Sequence, residues 1–194
     1  MRFAFGEYTK ADWVYATARV YEKFLSGKEV TPREINTLVN SIGTLWLQWG
    51  DKISFATIAY YAIHQDQIED GILQMVQAPP QGIEAYDPEW QQGIAAIHYG
   101  ANPSDALQIL IEPRLVKVIS ENDTTVFAEL AKIRGFSSVF QTILERYSSS
   151  GAAMVPDFIM SAAALFAQQD LPSAPWVTAA WRTMRAKLTL IDDW

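Results

Sequence analysis

Chemistry in this chain has few side chains to draw on. Among its 194 residues there are two histidines, His64 and His98, and no cysteine. Disulfides, thiolate zinc sites, iron–sulfur clusters and a thiol nucleophile therefore lack their defining residue. Neither histidine lies in an H-E-x-x-H or E-x-x-H arrangement, so the signatures of zinc proteases and di-iron bundles are missing. No G-x-S-x-G elbow occurs, and no G-x-x-x-x-G-K-[ST] or G-x-G-x-x-G loop.

The richest local cluster is His64-Gln65-Asp66-Gln67-Ile68-Glu69-Asp70. On a helix, Asp66, Glu69 and Asp70 share one face because they are three and four residues apart. Three carboxylates so placed could hold Mg²⁺ together with a substrate phosphate. His64 does not join them, since it points about 160° away from Asp66 at 3.6 residues per turn. The competing expectation is a solvated first turn, where acids are favoured by the positive helix end. His98 ends the run Trp90–Gly100 and is out of phase with Glu89, which suits a basic group near a helix C-terminus.

The C-terminal segment is of another kind. Trp176, Trp181, Arg182, Met184, Arg185 and Lys187 mix aromatic and basic residues, and no acid occurs between Pro172 and Ile191. Such a helix could stack on bases, lie on an anionic membrane, dock on an acidic protein surface or cover part of its own fold. Protein docking is the functional expectation, with Trp176, Trp181, Arg182, Arg185, Lys187 and the terminal Trp194 as interface residues. Charge supports it: Asp51–Glu112 contains nine acids and one base, −8 in all, against a chain total of −7. That acidic middle makes a nucleic-acid groove an unfavourable reading, because phosphate contacts need clustered Lys and Arg.

The elements that must position these residues read as helices. Thr31-Pro32-Arg33-Glu34 has Thr as N-cap, Pro at the first helical position and Glu at the third. Thr9–Asp12, Asp87-Pro88-Glu89, Ser104-Asp105 and Ser138–Gln141 offer weaker starts, and Gly27, Gly50, Gly100, Gly135 and Gly151 offer left-handed ends. Ile35, Leu38, Val39, Ile42, Leu45, Trp46 and Trp49 recur at steps of three and four over 31–50, and Trp13, Val20 and Phe24 make a similar stripe earlier. Residues 53–64 are apolar nearly all round, which predicts a central helix. Further helices are expected at 66–77, 87–99, 124–134, 137–149, 156–169 and 174–188. Residues 107–119, split by Pro113, read as a helix broken at the proline or as a short hairpin, with the helix preferred. Gly43, Gly71 and Gly93 fall inside predicted helices, where a close helix approach or a kink is the usual reason.

The fold class expected is all-α, one compact domain over 1–194 with eight to ten short helices and a weak subdivision near 79–86. The N-terminus lacks the apolar core of a signal peptide, and no apolar run approaches the ~20 residues of a membrane span. A soluble protein, cytoplasmic or part of an intracellularly assembled particle, is expected. The functional expectation is a non-enzymatic interaction module, an adaptor or structural subunit of a larger assembly of viral or bacterial type. It would need no cofactor, and would associate with a protein partner or a second copy. The alternative is a small helical enzyme or ligand-binding domain that uses the 66–70 carboxylates with Mg²⁺.

Overall fold

The computed structural model describes residues 22, 31–77, 83–84, 87–149, 155–168 and 175–188, without the side chains of 148, 149, 155, 156 and 187. Every regular element among them is a helix, and no strand occurs. The order is α1 (Pro32–Trp49), α2 (Phe55–Ile63), α3 (Gln65–Gln77), α4 (Trp90–Tyr99), α5 (Pro103–Glu121), α6 (Thr124–Leu130), α7 (Phe136–Ser149), α8 (Val155–Ala167) and α9 (Pro175–Leu188). Contacts divide the chain into two compact units, Met1–Ala106 and Leu107–Trp194. Most of the 79–86 segment, the expected Thr9–Asp12 cap and the Trp13–Phe24 stripe lie outside the described residues, as do Gly27 and Gly151.

In the first unit, α2 is the centre. α1, α3 and α4 all pack on it, and α3 also packs on α4. Seven successive residues of α2, Phe55 to Tyr61, are buried, as the all-round apolar sequence predicts. α1 begins on a complete capping box. The Thr31 amide and hydroxyl donate to Glu34 Oε2 at 2.7 and 2.9 Å, while the Glu34 amide donates to Thr31 Oγ1 at 3.3 Å. A cap of this kind is worth ~1 kcal/mol.

The glycines inside helices divide by cause. Gly71 has non-helical angles and kinks α3. Gly93 lies where α4 crosses α2: a Cβ there would stand 2.8 Å from Thr57 Cγ2 and 3.0 Å from Ile53 Cγ2. Gly100 closes α4 in the left-handed conformation at φ 63°, as expected. Gly50 does not, because its φ is −66°. What it provides is room, since a Cβ would meet the Trp46 ring at 2.6 Å.

In the second unit, α7, α8 and α9 pack against one another. Their shared core is aromatic. Phe127 of α6 meets Phe136, Phe140 and Phe166 edge-on at 5.5–5.9 Å, and Phe140 stacks on Phe136 and Phe166. α6 is capped by Asp123, whose carboxylate accepts from the Thr125 and Val126 amides at 3.0 Å. Arg146 of α7 is ion-paired with Glu112 of α5, which also accepts from Gln108 at 2.8 Å.

Three local expectations are corrected. Residues 107–119 form neither a hairpin nor two helices: α5 runs through Pro113 without a break. The reason is burial at helical period, with Leu107, Leu110, Ile111, Leu115, Val118 and Ile119 all inside. Pro113 itself is exposed, and the Arg114 guanidinium donates to the neighbouring Leu110 carbonyl at 2.7 Å. Asp87 is not the N-cap of α4, which starts at Trp90 after an uncapped Glu89; its carboxylate is occupied elsewhere. Neither Ser104 nor Ser138 is a cap. α5 starts at Pro103, with the Asn102 carbonyl accepting from Asp105 and Ala106 at 2.9 Å, and Ser138 lies within α7.

Candidate protein-interaction surface

α9 carries two faces set by its own spacing. Trp176, Ala180, Met184 and Leu188 recur every fourth residue and form the inward stripe, with Ala180 and Met184 fully buried. Trp176 completes the aromatic core, its ring edge-on to Phe136, Phe140 and Phe166 at 5.9, 6.3 and 5.8 Å. It is half-buried and supports the helix from beneath. Thr183 accepts from Gln141 Nε2 of α7 at 3.2 Å, a polar tie on the same side.

Thr178, Trp181, Arg182 and Arg185 follow the three-and-four spacing of a second face, and together they line a shallow groove of about 400 Å³. Trp181 is 38% exposed, a large value for that side chain. Its ring meets that of Phe166 edge to face at 5.6 Å. Arg182 and Arg185 are exposed beside it. The structure thus brings Trp181, Arg182 and Arg185 together and sets Trp176 behind them. The side chain of Lys187, and Trp194 altogether, lie outside the described residues.

The carboxylate cluster is placed otherwise. Asp66, Glu69 and Asp70 are exposed on the first turns of α3, where Glu69 accepts from Gln65 Nε2 at 2.8 Å. Among the described residues no group of three His, Asp or Glu is arranged to hold a metal ion. His64 faces away from them: its ring lies 4.4 Å from that of Tyr60, and its Nδ1 is 3.1 Å from Gln67 Oε1. His98 packs edge-on to Tyr99 at 4.8 Å in the last turn of α4.

Two features went unread in the sequence. One is a polar hub in the first unit. Ser54 Oγ and Thr57 Oγ1 of α2 donate to Asp87 Oδ2 at 2.6 and 2.5 Å, and the Glu89 amide donates to Asp87 Oδ1 at 2.9 Å. Ser54 is also the N-cap of α2, so one carboxylate joins the start of α2 to the turn before α4. It clasps the two elements together. The other is a groove beside α1, into which Tyr61 opens. Burial pushes the Tyr60 phenol up to about 12, and burial followed by the charge of Glu69 raises that of Tyr61.

No protein-family model, no curated protein and no solved structure matches the chain. No helix among the described residues is long and apolar enough to cross a membrane.

Proposed function

We propose that the protein is a non-enzymatic helical interaction module, an adaptor or structural subunit of a larger assembly, that docks through α9 on an acidic protein surface. The observation that carries this reading is the exposure of Trp181 beside Arg182 and Arg185 on a helix whose opposite face packs into an aromatic core. A half-exposed tryptophan on a rigid base is the kind of anchor that dominates interfaces, with arginines beside it. Exposed ion pairs contribute only ~0–1 kcal/mol each and weaken with salt, so the ring would supply most of the affinity and the arginines the choice of partner. The acidic stretch 51–112 makes a second copy of this chain one surface of suitable charge.

Native mass measurement of the protein purified from its natural source tests this, since it reports copy number and bound partners together. The association found should weaken in Arg182→Glu with Arg185→Glu and lose part of its salt dependence. Trp181→Ala should weaken it at every salt concentration while leaving the fold intact. Trp176→Ala is the contrast and should lower stability by ~3–5 kcal/mol, as truncation of a core tryptophan does. A charge-reversed protein that assembles as well as the parent, or a Trp181→Ala monomer that unfolds, would overturn the proposal.

A further inference from the structure

Beside α1 lies a groove of about 510 Å³, within the first unit. That volume is inside the ~300–1,000 Å³ range of small-molecule sites. Asn40, Ser41, Tyr61 and Gln65 supply its polar lining, and Leu45 and Ile97 its apolar walls. None of its lining residues among those described carries a charge.

Tyr61 distinguishes this groove from an ordinary crease between helices. The residue is only 6% exposed, yet its hydroxyl makes no hydrogen bond to any described residue and is not sealed from water. Buried phenols usually find a partner. This one is held as a donor, since burial and the Glu69 carboxylate both oppose loss of its proton.

The remaining groups fix the chemistry of what could fill the groove. Thr37 and Thr44, also in the lining, spend their hydroxyl protons on the Arg33 and Asn40 carbonyls at 3.0 Å, and so present only acceptors. Gln65 spends one amide hydrogen on Glu69 and keeps the other together with its carbonyl, so it can both donate and accept. Tyr61 is a donor, and Asn40 and Ser41 can act either way. A carboxylate or a fully ionised phosphate ester only accepts, and would face the Thr37 and Thr44 oxygens, acceptors it cannot satisfy. An ammonium only donates, and would leave the phenol proton unused. Neighbouring hydroxyls both donate and accept over short spacings, and the carbons that bear them suit the apolar walls.

We infer that the groove lined by Asn40, Ser41, Tyr61 and Gln65 binds a small, uncharged, polyhydroxylated ligand of monosaccharide size. The test is calorimetric titration with saturation-transfer NMR, using D-glucose, D-galactose, D-mannose and N-acetyl-D-glucosamine as separate probes, and inorganic phosphate and triglycine as contrasts. At least one sugar should bind saturably at one site. Tyr61→Phe should weaken that binding roughly three- to tenfold, the value of one hydrogen bond, with the melting temperature unchanged because the hydroxyl holds nothing in the fold. Ser41→Leu, which fills the groove, should abolish it. The inference is overturned if no sugar saturates, if Tyr61→Phe binds as tightly as the parent, or if phosphate or triglycine binds there instead.

Discussion

Thr57 donates its hydroxyl to the Asp87 carboxylate at 2.5 Å although thirty residues separate them. With the parallel bond from Ser54, this clasp sets the chain that enters α4 against the start of α2. Removing the carboxylate leaves two part-buried hydroxyls and the Glu89 amide without their acceptor. Bonds to a charged group contribute about 1.5–3 kcal/mol, and the Ser54 hydroxyl can still reach Thr57 Oγ1 at 3.2 Å. Asp87→Ala should therefore lower unfolding free energy by about 2–3 kcal/mol in urea titration. Asp87→Asn, which keeps an acceptor, should cost less.

The same threonine bounds the helix crossing from its other side. Gly93→Ala would drive a Cβ against Thr57 Cγ2, and overpacking of this kind costs ~1–3 kcal/mol. Thr57→Ser deletes that methyl and keeps the hydroxyl for Asp87. The double variant should recover at least half of the Gly93→Ala loss, which a double-mutant cycle by thermal or urea unfolding would measure.

Tyr60 links stability to alkaline pH. Its phenol is raised to about 12 by burial, against an ordinary value of 10.0. A raised folded value favours the protonated form, so its contribution is fully present below pH 10 and is lost as pH rises toward 12. The melting temperature should fall across that window, and Tyr60→Phe should flatten the fall while leaving the neutral-pH profile unchanged in shape. Melting curves at stepped pH, followed by circular dichroism, provide the check.

How much of this could be read from the sequence depends on how local each cause is. The Thr31–Glu34 box, the all-apolar α2 and the left-handed Gly100 are set by residues within one or two turns of each other, and each is found where expected. The local pattern places the start of α4 at Asp87, yet Asp87 has a better use thirty residues back, which no local pattern reveals. Pro113 signals a break because its local cost is fixed, whereas the burial of six apolar residues that outweighs it is spread along the helix. At the proposed interface, the basic and aromatic composition of α9 was plain. The division into an inward Trp176 and an outward Trp181 was not: five residues place the rings about 140° apart on α9, and the spacing alone does not say which of the two faces meets the Phe136–Phe140–Phe166 cluster. The groove at Tyr61 depends on four helices meeting, and most of its polar lining reads in sequence as an ordinary solvated face of α1.

The uninterrupted passage of α5 through Pro113 constrains its outer side. Proline has no amide hydrogen, so the carbonyl of Ile109, one turn earlier, lacks its helical donor. Ile109, Pro113 and Lys117 are all exposed, so this carbonyl lies on a stripe where water can supply the missing bond. A flat apolar surface laid over the stripe would strip that water away and offer nothing in return. The outer face of α5 is thereby selective despite its apolar side chains: it can be covered by a molecule that brings a hydrogen-bond donor to Ile109, and it resists one that does not.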